Sequence, residues 1–503
     1  FMELTVHNLK HKFNLFFLFF IISVFSSQCF AQSPANSSSS KKFAYLNKFD
    51  SMFQFVLQNY VDEVDPKVLY EGAMKGMMDS LGDPYTSYLD EDTIRDLSDT
   101  TNGSFGGVGL SISKPVESKP NKPAYVEVAS PIEDTPGAKA GILAGDYIIE
   151  VNGKPTESMT MDEVLKHLRG KVGESVKVTI LRGKNLKFTV ELVRALIEIP
   201  TVKYGMIGNT GYMRLIQFTP DIPERVQDAL NSFKKDKNFK NLVIDLRDNP
   251  GGLITSAVAV ADKFIDEGPI VTTKSRLDFE NAVYKASKDK TQLRGIPMVV
   301  LINQGSASAS EIVAGALKDN HLAYLVGAKS YGKGSVQQVI PLGASEEVKM
   351  TVARYYTPSD TNIDKVGIQP DKEVLYPKLT EDDEKNYSSL LEANVIVPYV
   401  EEHPDMTEKE IAAYAEELKK EYSLDSRLLR RIIRIQVNRT KPTALYDLDY
   451  DIQLNAALEL LNGTEDFEAL LKSTKTLKEL QAEAEAKKAA EQQEEAENSK
   501  KAE

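Results

Sequence analysis

Two turns constrain this chain more than any other stretch of it. Met298-Val299-Val300-Leu301-Ile302 is an unbroken apolar run and reads as a buried strand. Asn303-Gln304-Gly305-Ser306-Ala307-Ser308-Ala309-Ser310-Glu311-Ile312 follows and opens a helix that runs to about Lys318. A second apolar run, Ala323 to Gly327, reads as another strand and leads into Tyr331-Gly332-Lys333-Gly334-Ser335-Val336-Gln337-Gln338. In a strand, helix, strand layout the two turns lie on the same edge of one sheet.

Taken separately, both turns have plain explanations. Ser306, Ser308 and Ser310 can cap free amides at a helix start, and a lysine between glycines is usually a solvated loop residue. Together they suggest chemistry, because a lysine beside a serine can act as its base. That role needs a neutral lysine, hence a desolvated pocket that lowers its pKa. An uncharged neighbour such as Gln337 could orient the amine without restoring its charge.

The two motifs resemble those of the carboxyl-terminal processing peptidases, also called tail-specific proteases. The resemblance runs from about Phe43 to Lys378. It implies that Ser308 is the nucleophile, that Lys333, 25 residues further on, is the base, and that Gln337 assists it. It implies a serine endopeptidase with a Ser–Lys dyad that needs no metal and no cofactor. A Ser-His-Asp triad is the rival chemistry. The chain has five histidines: two lie near the start, His167 is in a predicted helix, His403 lies outside the predicted core, and His321 follows the helix after Ser308.

The sequence of 503 residues is 42% hydrophobic and 27% charged, as an ordinary globular protein of two or three domains would be. A net charge of −13 argues against a general nucleic-acid binder, which would show a basic face. Residues 1–31 read as a secretory signal: Lys10 and Lys12, then an apolar run from Phe13 to Phe25, then Cys29-Phe30-Ala31 as a cleavage site. The expectation is export to the periplasm or envelope of a bacterium with no lasting membrane span; a retained signal would instead anchor the chain. Cys29 is the single cysteine, so no disulfide is expected.

Taken in order, residues 32–42 read as a linker and 43–103 as a helical N-terminal region. Residues 104–194 resemble a PDZ domain, with strands at Ala124–Val128, Tyr147–Val151, Ser175–Leu181 and Leu186–Leu192 and a helix at Met161–Leu168. In such a domain the glycines of Gly107-Val108-Gly109-Leu110 let amides converge on a peptide's terminal carboxylate. The peptide then adds as a strand beside Leu110 to Ile112. Residues 195–378 alternate strands and helices and should form an α/β peptidase core. Within it Asp248-Asn249-Pro250-Gly251-Gly252 follows the buried run Asn241 to Arg247. A glycine pair there is either a tight turn or an anion cradle. The family pattern places oxyanion donors at Gly251 or Gly252 and at Ala309.

Residues 379–475 read as a helical extension, with an amphipathic basic run from Arg427 to Arg434 that suits packing on the core or on a second subunit. Residues 476–503, rich in Ala, Glu, Lys and Gln, read as a disordered or weakly helical tail. The expectation is thus a multidomain α/β protein. Its partners would be protein or peptide substrates held by their C-termini, with the helical regions available for a homo-oligomer or an adaptor. A scaffold with an inactive core is the contrasting reading.

Overall fold

The structure is a computed structural model that describes residues 37–502 apart from 116–117, 119–122, 133–134, 144, 184, 199, 344 and 439–443. The expected signal segment lies outside the described residues. The chain divides into two compact units, residues 1–76 and 77–503.

In the first unit the helix Ser37–Asn59 begins inside the stretch expected as a linker. Phe43, Leu46, Phe49, Met52 and Phe55 are exposed along it. The next helix starts at Pro66, at a position where a missing amide costs nothing, and the Asp65 carboxylate accepts the Lys67 N–H at 2.8 Å.

In the second unit a β-rich module comes first. Five strands, Leu110–Ser113, Val126–Pro131, Tyr147–Val151, Ser175–Arg182 and Leu186–Val193, pair in that order, all antiparallel. Val176, Val178 and Ile180 alternate inward along the fourth strand and meet Val164 and Leu168 of the helix Met161–Leu168. Burying each of these side chains contributes about 1.5–3 kcal/mol. Thr160 and Glu163 close a capping box that fixes the start of that helix. The strands Ser104–Gly107 and Ala195–Glu198 pair where the chain enters and leaves the module.

The core is a six-stranded sheet in the order Val202–Ile207, Thr210–Leu215, Asn241–Asp245, Met298–Ile302, Tyr324–Gly327, Lys372–Glu373. The first pair is antiparallel and the rest are parallel. Its central strands are continuous apolar runs because helices cover both faces. Leu242, Ile244, Val300 and Ile302 face the helices Ile222–Lys235, Ile254–Ala261 and Ala309–Asp319. Val243, Val299, Leu301 and Val326 face Leu454, Ala457 and Leu461 of the helix Ile452–Gly463. The last part of the expected extension is therefore a layer of the core.

A second sheet is built around the strand Glu347–Tyr356. It pairs with Ser335–Pro341 along its length and with Ser87–Leu89 and Pro269–Lys274 at its two ends. The helices Glu381–Ala393, Ile396–Glu402, Glu408–Tyr422 and Ser426–Val437 form a separate cluster around Leu390, Ile411, Leu418 and Leu429. The basic run lies on the last of these. Arg430 pairs with Asp449 at 2.7 Å, and Arg434 pairs with Glu408 at 2.7 Å and with Asp447 at 2.9 Å.

Residues 476–503, read as a disordered or weakly helical tail, carry a helix in the structure. A helix spans Leu477–Ala502, and its first turn is anchored because Leu477 is buried in the core and its N–H reaches Asp319 at 2.8 Å. Leu477, with Leu480 packed partly buried beside it, and one cap seat the start of this helix, and composition averaged over the tail hides them. Among the described residues no helix is long and apolar enough to cross a membrane.

Candidate active site

Parallel pairing of Met298–Ile302 with Tyr324–Gly327 brings the ends of both strands to one edge of the sheet, as the motif order requires. Ser308 stands just before the helix Ala309–Asp319, with φ 56° and ψ −115°. That is a sparsely populated conformation for a residue with a side chain and costs about 1–3 kcal/mol. Ser308 is nearly buried, and it lies at the positive end of the helix dipole.

The three serine hydroxyls of this turn have different fates. Ser306 Oγ donates to the Leu246 carbonyl at 2.7 Å, and Ser310 Oγ donates to the Asn249 carbonyl at 2.9 Å. Ser308 Oγ donates no hydrogen bond among the described residues. The outer two serines fasten the turn by donating to main-chain carbonyls, while Ser308 is the N-cap of the helix and its hydroxyl proton is given to no acceptor among the described residues.

Glu311, fully buried, connects this turn to the lysine loop. Its Oε2 accepts the N–H groups of Ser308 and Lys333, each at 2.9 Å, and its Oε1 accepts Ser330 Oγ at 2.6 Å and the Gly332 N–H at 2.7 Å. Burial pushes the Glu311 carboxyl above the usual range, against these four donors, which favour the charged form.

Lys333 lies with Nζ 4.8 Å from the centre of the Tyr85 ring. Tyr85 is carried there by the Ser87–Leu89 strand next to it and by Thr86, whose Oγ1 accepts the Thr351 N–H at 3.0 Å. Burial holds the Lys333 pKa below the ordinary lysine value; nearby Lys349 lowers it further, while Asp83 and Glu311 pull the other way. Among the described residues Lys333 has no salt bridge. Lys318, buried on the Ala309–Asp319 helix, differs in being paired with Asp371. The segment Asp83–Thr86 was not picked out from the sequence as part of this site; its only signal is the turn dipeptide Asp83-Pro84 followed by Tyr85.

Gln337 sits two residues from Ser335 on the same strand and donates to Ser335 Oγ at 2.9 Å and to Thr351 Oγ1 at 3.1 Å. No hydrogen bond joins it to Lys333 Nζ, or joins Lys333 Nζ to Ser308 Oγ, among the described residues. His321 is at the other end of the Ala309–Asp319 helix, where its Nδ1 contacts Thr474 Oγ1 at 3.0 Å and the Leu471 carbonyl at 3.1 Å. A helix of 11 residues puts it roughly 16 Å from Ser308.

The glycine pair abuts the serine turn. Gly251 has φ 102°, and a Cβ built there would stand 2.7 Å from Ser308 Cβ and 2.9 Å from the Ala309 nitrogen. The Gly251 N–H is occupied by the Asn249 side chain at 2.9 Å. The N–H groups of Gly252 and Ala309 have no partner among the described residues. Asn249 is the residue sequence reading missed. Its side chain also donates to the Leu215 carbonyl at 2.9 Å, and its own carbonyl accepts the Ala307 N–H at 3.0 Å as well as Ser310 Oγ. It was legible only as a turn residue, because its partners Leu215, Ala307 and Ser310 lie 34 to 61 residues away in sequence.

Behind this turn, Arg247 is gripped from both sides. It contacts Asp245 at 2.6 and 2.9 Å and Asp451 at 2.6 and 2.7 Å. Asp451 comes from the start of the helix Ile452–Gly463, so the C-terminal part of the chain supports the strand end that carries the glycine pair.

In the β-rich module the strand Leu110–Ser113 is at the edge of its sheet, with Leu110 and Ile112 packed against the cluster that includes Val164 and Leu168. Gly109 has φ 73° and Gly107 is buried. The carbonyls of Val108 and Gly109 accept from Gly137 at 2.8 Å and Ile132 at 2.9 Å, while their N–H groups have no partner among the described residues. Among the described residues no group of three or more His, Cys, Asp or Glu side chains could hold a metal ion.

Three family models match the chain: peptidase family S41 over residues 209–374, the activating protease CtpB N-terminal domain over 20–93, and a PDZ domain over 127–182. A carboxy-terminal-processing protease of Bartonella bacilliformis is 41% identical over 369 residues, covering 72% of this chain and 82% of its own. The carboxy-terminal processing protease CtpA of Bacillus subtilis is 32% identical over 395 residues, covering 76% and 82%. The solved photosystem II D1 C-terminal processing protease is 30% identical, with 67% of this chain and 87% of that one covered at a TM-score of 0.42. The chain belongs to the carboxy-terminal-processing proteases of peptidase family S41, serine peptidases, and carries a PDZ domain.

Proposed function

We propose that this chain is a serine endopeptidase that takes a protein by its C-terminal tail and cuts it with a Ser308–Lys333 dyad. The observation that carries the assignment is that the Ser308 hydroxyl donates to no acceptor among the described residues, between two serines whose hydroxyls are donated to main-chain carbonyls. A desolvated Lys333, in no salt bridge among the described residues, is the matching base.

The tail carboxylate is held by the amides of Val108 to Leu110 at Gly107 and Gly109, and the peptide adds as a strand beside Leu110 to Ile112. Neutral Lys333 Nζ removes the Ser308 proton as Oγ attacks the peptide carbonyl. Catalytic hydrogen bonds commonly tighten only when substrate is bound, and this transfer requires Nζ and Oγ to come within reach. The oxyanion is held by the N–H groups of Gly252 and Ala309 at the helix start; Gly251, whose N–H serves Asn249, gives the close approach. The tetrahedral intermediate expels the amine, which takes the proton from the Lys333 ammonium and leaves an ester on Ser308. Lys333 then deprotonates the water that hydrolyses this ester. Gln337, with Ser335 and Thr351, lines the base strand and orients the amine.

The signal-like pattern of residues 1–31 supports export of this activity to the cell envelope of a bacterium. The test is cleavage of an unfolded reporter with an apolar C-terminal tail. Wild type should cut it, and Ser308→Ala and Lys333→Ala should not. Cutting by Lys333→Ala with His321→Ala inactive and folded would overturn the dyad. A chain that binds the tail and labels with no serine-reactive phosphonate would be a scaffold.

A further inference from the structure

The strand Glu347–Tyr356 carries a side chain that touches both members of the dyad. Tyr355 Oη lies 3.2 Å from the Ser308 carbonyl oxygen, and it also donates to the Lys333 carbonyl. The ring is buried, and its main chain is fixed on two sides: it pairs with Thr273, and its N–H donates to the Gly334 carbonyl at 3.0 Å.

These contacts complement those of Glu311. The carboxylate takes the N–H groups of Ser308 and Lys333, and the phenol takes the C=O groups of the same two residues. Both residues are thus held at both main-chain polar groups by the same two side chains. A buried phenol could satisfy any stray carbonyl. Here the two carbonyls come from turns 25 residues apart in sequence, and the residues owning them are the proposed nucleophile and base.

We propose that Tyr355 is a positioning residue for the dyad: its phenol spans the serine turn and the lysine loop and sets how far Lys333 Nζ stands from Ser308 Oγ. This rests on the dyad reading above. Tyr355 contributes no proton to the reaction. Burial, with the Glu311 charge beside it, holds its pKa well above that of a free tyrosine, so it stays a donor across the working range. A rigid ring with a single O–H shared between two acceptors fixes a separation better than a flexible side chain would.

The test is Tyr355→Phe in the full chain, which keeps the ring and removes the donor. Three quantities are read: the rate of Ser308 labelling by a fluorophosphonate across pH, the fraction labelled at completion, and kcat and KM on the tailed reporter. Complete labelling is expected, with the rate and kcat down about ten- to a hundredfold, the size of an ångström-scale misplacement of a catalytic group. KM and the midpoint of the pH profile should stay at their wild-type values, because tail binding and the surroundings of Nζ are unchanged. A wild-type labelling rate would overturn the proposal, as would a fall in activity matched by an equal fall in the labelled fraction, which marks misfolding. Labelling of Ser308→Ala at the wild-type rate would remove the dyad reading itself. A silent Ser308→Ala beside a Tyr355→Phe of wild-type rate removes only the role of Tyr355.

Discussion

The amides of Ser308 and Lys333 converge on one atom, Oε2 of Glu311, at 2.9 Å each. Two residues from different turns are thereby held by a single buried charge. Glu311→Gln replaces one of its two acceptor oxygens by an NH2 group, which would face donors. Each donor left without its acceptor costs about 1–3 kcal/mol, so chemical denaturation should show a loss of roughly 2–5 kcal/mol together with a steep fall in turnover. Stability within about 0.5 kcal/mol of wild type, the range of an ordinary surface change, would mean that the carboxylate does not clamp the site.

The charge on Lys349 is one reason the Lys333 pKa lies below normal. The proposed dyad needs a neutral Lys333, so activity should rise with pH as Lys333 loses its proton. Lys349→Met removes a positive neighbour, raises the Lys333 pKa, and should move this limb to higher pH. Asp83→Asn removes a negative neighbour and should move it the other way. The pH dependence of phosphonate labelling reads both directly; shifts of the same sign would contradict the electrostatic account.

Asp451 shares Arg247 with Asp245 and lies far along the chain from the glycine pair it supports. Asp451→Ala leaves half of a buried guanidinium without its partner, at a cost of about 3–5 kcal/mol. A lowered melting temperature and lost cleavage are expected, and a chain ending before Ile452 should yield no folded peptidase. A stable, active truncation would show that the helix Ile452–Gly463 is dispensable.

Gly109 has φ 73°, and a Cβ there would lie 2.2 Å from Thr135 Cβ. Gly109→Ala should weaken binding of a labelled apolar tail peptide tenfold or more, since backbone strain of about 1–3 kcal/mol falls on the loop proposed to hold the tail carboxylate. Fluorescence anisotropy checks this, while phosphonate labelling of Ser308 should be unaffected. An unchanged tail affinity would place the carboxylate elsewhere.

Elements with strong local patterns could be read with little error. The strands Tyr147–Val151 and Met298–Ile302 and the helix Met161–Leu168 lie where periodicity places them. The hairpin strand Val202–Ile207 was not read, because its Lys203, Tyr204 and Gly205 give neither an apolar run nor a clean alternation. Leu246 and Arg247 look like the end of a strand in sequence but leave it, because Arg247 must turn to face two carboxylates. The PDZ strand read at Ala124–Val128 runs instead from Val126 to Pro131, its ladder partners and not its composition setting its ends.

The sequence by itself determined the order of strands and helices, the PDZ module, and the two turns with Ser308 and Lys333, because each is written in neighbouring residues. Tertiary structure alone decided which serine hydroxyl donates to no acceptor among the described residues, which glycine amide is spent, and that Glu311 and Tyr355 bind both turns. It also decided that the Tyr85 ring lies by Lys333 Nζ and that Asp451 supports the turn with the glycine pair. These outcomes depend on which distant donors and acceptors meet once the sheets and helices pack. A buried polar group must find a partner wherever the fold brings one, and that choice is not encoded at any one position of the chain.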